Sequence, residues 1–464
     1  MTVNIIDKFL HLLYNSVYTE KAERRVEKTG KTISIFEKLA LSCDSFTAGY
    51  SCLLVLFFIP YAAQYTYVAV LGVLPLACVL PFAVMPILYA VIHRADTLLF
   101  GRYHLVMPLS GFASALFFVF VWSASAVNAR GACFIAFGAT LFAATAPLYR
   151  YCAFSVRARL SGENVIGGSR VSAVFAAVGA ATAIGAFVGF YYYDAGSAFV
   201  NTAYVLGAAC ILLALFQYLA TYYGIPRLGG KRVQPIKTVF RTLFAGMDGR
   251  VFACVLLFDA AFFAAAALAT YACVVLGLGM YTGVISAATL VVGYAAVAAT
   301  LWKKPLRKRS KLYVVAFVCT FAGAALTIAA LTVKLDSRII TAMLAAGAAL
   351  IGAGGGAALR QTRIKLVAVK PDITSGIAFL LVELTMLAAM AIALAIGAAA
   401  VAVFVATESV YAVAGGFGVA AALSVAAVGI AAHKSVRTYR PLEVTYEPYA
   451  EITEERDARK PEQS

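Results

Sequence analysis

The chain predicts an all-α membrane protein of twelve transmembrane helices in two six-helix halves, and three observations carry that prediction. Apolar residues fill 62% of its 464 positions at a mean hydropathy of +0.87, gathered into long stretches that no globular core could hide. Of the 38 Lys and Arg residues, 33 fall in seven alternate polar segments, and only Arg130, Lys334 and Arg338 fall in the other six. The longest polar segment between apolar stretches, 223–250, follows the sixth of them and leaves six more behind it.

The elements follow in order. Segment 1–41 holds seven basic residues. Within it, 4–15 places apolar residues at helical spacing, which fits a short helix in the membrane interface or an extension of the first core helix. The segment is charged and lacks the apolar core of a cleavable signal. Spans one to six read 42–63, 67–92, 104–126, 131–156, 168–192 and 198–222, forming an N-terminal half over 42–222. Spans seven to twelve read 251–278, 282–301, 312–333, 339–359, 374–398 and 410–432, forming a C-terminal half over 251–432. A bilayer core of ~30 Å needs ~20 residues at ~1.5 Å each, and every span is about that long. Two basic residues lie in 93–103, two in 157–167, six in the linker 223–250, six in 302–311, four in 360–373 and six in 433–464. Lys and Arg beside a span resist translocation, so these segments and both termini are expected in the cytoplasm. The tail 433–464 is charged, contains Pro441, Pro448 and Pro461, and reads as largely disordered. Pro60, Pro75, Pro81, Pro86 and Pro147 lie inside spans and predict kinks. The run Gly352-Ala353-Gly354-Gly355-Gly356 lets helices approach closely, either as a tight gate or as plain packing.

A basic loop after span two, around Gly101-Arg102-Tyr103, is answered after span eight by Lys303-Lys304-Pro305-Leu306-Arg307-Lys308-Arg309. Two halves with a basic loop at the same relative place predict parallel repeats, of which the major facilitator architecture is the common instance. The net charge of +16 sits at the membrane face, so the lipid bilayer and not nucleic acid is its expected partner. The nine cysteines, Cys43, Cys52, Cys78, Cys133, Cys152, Cys210, Cys254, Cys273 and Cys319, lie in or at the edge of apolar segments with no C-x-x-C pair, and read as buried thiols. His11, His93, His104 and His433 lie in loops or at span ends, and no H-E-x-x-H or Ser-His-Asp set sits at membrane depth. An enzyme, a cofactor and a metal site are therefore not expected, and the Arg ladder of a voltage sensor is absent. The expected whole is a monomeric multi-pass protein of the plasma (inner) membrane.

Charges inside spans are costly and usually face a cavity, so the few present are the candidate site. Asp44 opens span one, Asp259 lies a third of the way into span seven, and Glu383 lies in span eleven. Spans one and seven are equivalent in the two halves, which places Asp44 and Asp259 across a central cavity, although Asp44 could simply cap its helix. Arg150 in span four can snorkel toward the cytoplasm. Arg170, a turn inside span five, can bind a solute hydroxyl or carboxylate bidentately, or anchor the span.

Four places resemble the glycoside–pentoside–hexuronide carriers of the major facilitator superfamily, the group of the melibiose carrier. These are Lys38-Leu39-Ala40 followed by Asp44, the loop Phe100-Gly101-Arg102-Tyr103, the segment Glu163-Asn164-Val165-Ile166-Gly167-Gly168-Ser169-Arg170, and Thr145-Ala146-Pro147-Leu148-Tyr149. The resemblance implies a sugar transporter working by alternating access, with Asp44, Thr145, Tyr149 and Arg170 against the solute. It also exposes departures. The family's span-two aspartate pair, which binds the coupling cation, is replaced here by the oxygen-free Leu80-Pro81-Phe82-Ala83-Val84-Met85-Pro86-Ile87-Leu88, its helix-four aspartate by Thr145, and its helix-eleven lysine by Leu387, with Glu383 a turn earlier. Na⁺ needs several oxygen ligands, so any coupled cation is expected to be a proton carried by Asp259 or Glu383, with uncoupled facilitated diffusion as the alternative. Asn201 and Gln217, with Gln64 just past span one, are at best the amides of the spans, which keeps an amphiphile or lysolipid open as the alternative to a sugar or glycoside. A non-transporting membrane partner protein is the remaining alternative.

Overall fold

A computed structural model of the chain describes residues 39–40, 42–57, isolated positions between 72 and 88, 105–123, 129–161, 170–222, 249–301, 312–367 and 375–431. The interfacial helix expected at 4–15, the loops 93–103 and 302–311, most of the linker and the tail lie outside the described residues. Among the described residues the secondary structure is helical throughout, and ten helices are long and apolar enough to cross a membrane. They are Val106–Ser123, Ala129–Ser161, Arg170–Tyr193, Ala198–Tyr222, Gly249–Val275, Met280–Leu301, Leu312–Thr332, Ser337–Val367, Ser375–Thr407 and Tyr411–Ala431, and they match spans three to twelve. Span one is seen as the shorter apolar run Cys43–Phe57, and the described positions of span two are helical. The protein is an integral multi-pass membrane protein. Hydrocarbon offers no hydrogen bonds to the backbone, so helices that satisfy their own amides are the form these stretches must take.

Two kinds of helix end alternate along the chain. At one end the connections are short: 194–197, 276–279, 333–336 and 408–410. Span seven stops because Gly277 adopts a φ of 65°, so its N–H donates to the Val274 carbonyl at 3.0 Å and the Leu278 N–H to the Cys273 carbonyl at 3.1 Å. A side chain with a Cβ is strained at that φ, which is why glycine closes this helix. In the turn after span five, hydrogen bonds from the Ser197 side chain and the Gly196 N–H hold the Asp194 carboxyl below the ordinary aspartate range. At the other end the helices run on past the apolar sequence. Span four continues to Ser161 and span ten to Val367, past the 156 and 359 expected from hydropathy. Arg157, Arg159, Arg360, Arg363 and Lys365 fall in these overruns, and Arg and Lys are good helix formers, so the helix continues where the apolar sequence stops.

Span ten is the packing hub of the C-terminal set. A Cβ on Gly352 would meet the Leu290 carbonyl of span eight, one on Gly354 the Thr320 hydroxyl of span nine, and one on Gly355 the Phe262 ring of span seven. The glycine run therefore serves packing on three sides. Gly49 and Gly179 do the same for spans one and five, where a Cβ on Gly49 would sit 2.5 Å from the Gly179 carbonyl oxygen. Span seven is enclosed: every residue from Phe258 to Cys273 is buried. Seven cysteines are buried as expected, but Cys133 is exposed and Cys319 half-buried, because a thiol is apolar enough to face lipid.

Candidate functional site

Span one enters through three successive helical pitches: a tight turn at Cys43–Thr47, an α-turn at Ala48–Cys52 and a wide turn at Leu53–Phe57. Short polar side chains cause the tight start by bonding back to the chain, the Thr47 hydroxyl donating to the Asp44 carbonyl at 2.7 Å. Asp44 does not cap this helix, since Ser42 holds that position without a side-chain cap. The Ser42 hydroxyl instead accepts from the Ser172 hydroxyl of span five at 3.2 Å. Asp44 lies in the first turn, 5% exposed. Wide turns are uncommon and recur at functional places. Here the Leu56 carbonyl in that turn accepts a hydrogen bond from the Thr270 hydroxyl of span seven.

Asp259 is 1% exposed, ten residues and about 15 Å along span seven from Gly249. Its expected position opposite Asp44 rests on the internal repeat alone; each of the two is a buried carboxylate on its own helix.

Glu383 has a partner that hydropathy did not reveal. The Arg150 guanidinium of span four holds it side-on, Nη2 to Oε2 at 2.6 Å and Nε to Oε2 and Oε1 at 3.1 and 3.3 Å. Arg150 therefore does not snorkel; its charge is satisfied by span eleven. The Glu383 side chain is 4% exposed and that of Arg150 18%. Both lie within about a turn of the ends of the apolar stretches Arg130–Phe154 and Val382–Thr407, at the end of the bundle next to the basic segments. Opposite charges at matching depth on two helices were the signal that could have found this pair.

Tyr149, one residue before Arg150, points elsewhere. Its hydroxyl donates to Gln217 Oε1 of span six at 2.8 Å, with both side chains fully buried. The hydroxyl of the aromatic expected against the solute is thus bonded to span six of its own set. Thr145 is half-buried and donates to the Leu141 carbonyl of its own helix at 2.8 Å. Arg170 begins the span-five helix, and its side chain lies outside the described residues.

Near the short connections, among the described residues, the two sets meet through neutral groups. Tyr191 of span five and Tyr281 of span eight meet edge to face at 5.9 Å, and Thr270 reaches Leu56. Behind them Phe57, Phe187, Phe199 and Trp122 form a continuous stack across spans one, five, six and three, with ring centroids 4.7 to 5.2 Å apart.

No family model and no curated protein matches the chain. Solved structures do. A point mutant of the nucleoside transporter NupG is 14% identical over 85% of this chain and 98% of its own, with a TM-score of 0.59. The inward-facing, unoccupied structure of a bacterial homolog of the human lysosomal transporter Spinster is 16% identical over 90% of this chain and all of its own, with a TM-score of 0.53. At such identity the likeness is one of fold, and the fold is of the major facilitator type.

Proposed function

We propose that a chain of this fold, with buried charges held between its first and last six spans, is a secondary transporter that moves a small organic solute by alternating access. The observation that carries this reading is the unlike character of the two ends. Spans four and eleven are joined by an ion pair near the basic segments, whereas spans one and seven, and five and eight, are joined by a hydroxyl and aromatic edges near the short connections. Two separable sets of contacts between the same two bodies are what opening one end at a time requires. The termini and basic segments face the cytoplasm across the plasma membrane, in keeping with the charge distribution.

A sugar or glycoside is the solute we favour, a class that includes nucleosides, the solute named for one structural neighbour. Asp44, Asp259 and Arg170 are the residues proposed to meet it, with Thr145 beside them. Tyr149 and Glu383 are proposed to stand behind them, Tyr149 bonded to Gln217 and Glu383 to Arg150. Asp259, buried in the middle of span seven, is the carboxylate proposed to carry a coupled proton. An amphiphile is the second reading, favoured by the scarcity of disposable amides: Gln217 binds Tyr149, and Asn201 binds Ser197 at a span end.

Purified protein in liposomes, offered radiolabelled monosaccharides, glycosides, nucleosides and a lysophospholipid, tests both. Saturable uptake of a glycoside is expected. Uptake of the lysophospholipid alone selects the second reading, and no uptake of any of them overturns the transporter.

A further inference from the structure

We infer that Phe263 of span seven selects the solute: its ring lies against the apolar face of a sugar ring or nucleoside base, while Asp259, one turn away on the same side of the helix, takes a polar group of the same solute. The inference rests on the alternating-access reading above, and deepens it by naming a residue that sets the solute class.

Contacts all round span seven fix which way its side chains point. The Thr270 hydroxyl reaches the Leu56 carbonyl of span one, in the other set. Tyr271 meets Phe404 of span eleven edge to face, with ring centroids 6.1 Å apart. The Cys254 thiol donates to the Ala427 carbonyl of span twelve at 3.5 Å, and Leu268 lies against Gly416 of the same span. Phe262 packs on Tyr294 of span eight and on Gly355 of span ten. Phe263 stands seven residues before Thr270 and Asp259 eleven, close to two and three whole turns. Both therefore point as Thr270 does, toward the other set. Phe262 and Tyr271 point about 100° to either side of that direction, and Cys254 and Leu268 point away from it.

The ring has a fixed support and an open neighbour. Phe262 backs it, with centroids 5.4 Å apart and planes tilted by 48°. Phe262 is itself wedged, stacked on Tyr294 at 6.2 Å and seated where a Cβ on Gly355 would run into it. Spans one and seven both start at the basic-segment end, so seven residues back from the Leu56–Thr270 contact on each brings Gly49 level with Phe263, to within about a turn. Every residue of span one from Ser42 to Phe57 is buried except Ser45, Ala48 and Ser51, a line of small side chains that runs past that level. A rigid aromatic face with a carboxylate one turn along suits a solute that is flat or CH-rich on one side and carries hydroxyls on another, as glycosides and nucleosides are. An acyl chain is flexible, and gains nothing from a ring that another apolar side chain would not supply.

Initial uptake rates of the full chain in liposomes, measured against solute concentration, test this. Phe263→Leu and Phe263→Met keep an apolar side chain of similar size and lose the ring. Each is expected to raise KM for a glycoside or nucleoside that the parent takes up by about fivefold, the factor for an aromatic contact of about 1 kcal/mol, with Vmax and Tm near those of the parent. Phe263→Tyr keeps the ring, and its KM is expected to stay within about twofold of the parent value. Parent KM values in both the Leu and the Met variant overturn the inference. So does a fall in Vmax and Tm that leaves KM unmoved, which would make Phe263 a packing residue between the sets. If the parent takes up the lysophospholipid alone, the solute class is wrong and the inference falls while transport stands. A parent that takes up nothing fails the transport reading itself, a result seen before any variant is made.

Discussion

Each buried polar side chain here answers two questions, what it bonds and to which body it belongs. Tyr149 answers both by bonding Gln217 within the N-terminal set. Tyr149→Phe removes the donor and leaves the Gln217 oxygen buried, at a cost of about 1–3 kcal/mol. A fall in Tm of the detergent-solubilised protein, with solute specificity unchanged, is the expected outcome; altered specificity at constant Tm would return Tyr149 to the solute. Arg170 carries the opposite expectation. If its planar fork grips the solute, Arg170→Lys keeps the charge yet lowers uptake at least about tenfold with membrane insertion intact, since one bidentate contact is lost. Parent-level uptake would make Arg170 an anchor. For Asp259, replacement by Asn is expected to remove the effect of an imposed pH gradient on uptake, and a gradient effect that survives would place the proton elsewhere.

Among elements, span ten shows how small residues position larger ones. Its glycines let spans seven, eight and nine close onto one helix, which in turn encloses the part of span seven that bears Asp259. Gly354→Val should therefore be severe, because the new side chain meets the Thr320 hydroxyl and the Ala316 carbonyl; overpacking of this kind costs about 1–3 kcal/mol or more. Gly418→Val in span twelve should be silent, since a Cβ there meets nothing within 4 Å. Comparing folded yield and Tm of the two variants decides the point, and equal losses would show that the interfaces are looser than described. Both glycines lie in equally apolar sequence, so hydropathy alone does not separate them.

For the whole molecule, topology and coupling are the quantities to measure. An epitope inserted at 194–197 is expected to be reached from outside intact cells, and reporters after residue 230 and at the C-terminus only from within. A 194–197 tag protected from outside would make the 33-to-3 distribution of basic residues accidental. Span two carries no carboxylate or other oxygen side chain from Leu80 to Leu88, so Na⁺ and Li⁺ should not stimulate uptake. Stimulation by Na⁺ that persists in Asp259→Asn would reveal an oxygen cage elsewhere in the chain.

The sequence by itself determined where the chain crosses the bilayer, because about 20 apolar residues must become a helix and basic residues resist translocation whatever their neighbours are. It determined which residues were worth watching, since charge is rare at that depth: Asp44, Asp259 and Glu383 all proved buried. Only the tertiary structure decided partners. Arg150 meets Glu383 across 233 positions of sequence, and Tyr149 meets Gln217 across 68, while Arg150 alone read as a snorkelling side chain. The reason is rotational. A soluble helix shows one apolar stripe that sets how it turns, but these spans are apolar on every side, so hydropathy leaves the rotation of each about its own axis undetermined. That rotation is set by contacts such as Gly49 on Gly179 and Gly352 on Leu290, and it alone aims a charge at the opposite set, at its own set or at lipid.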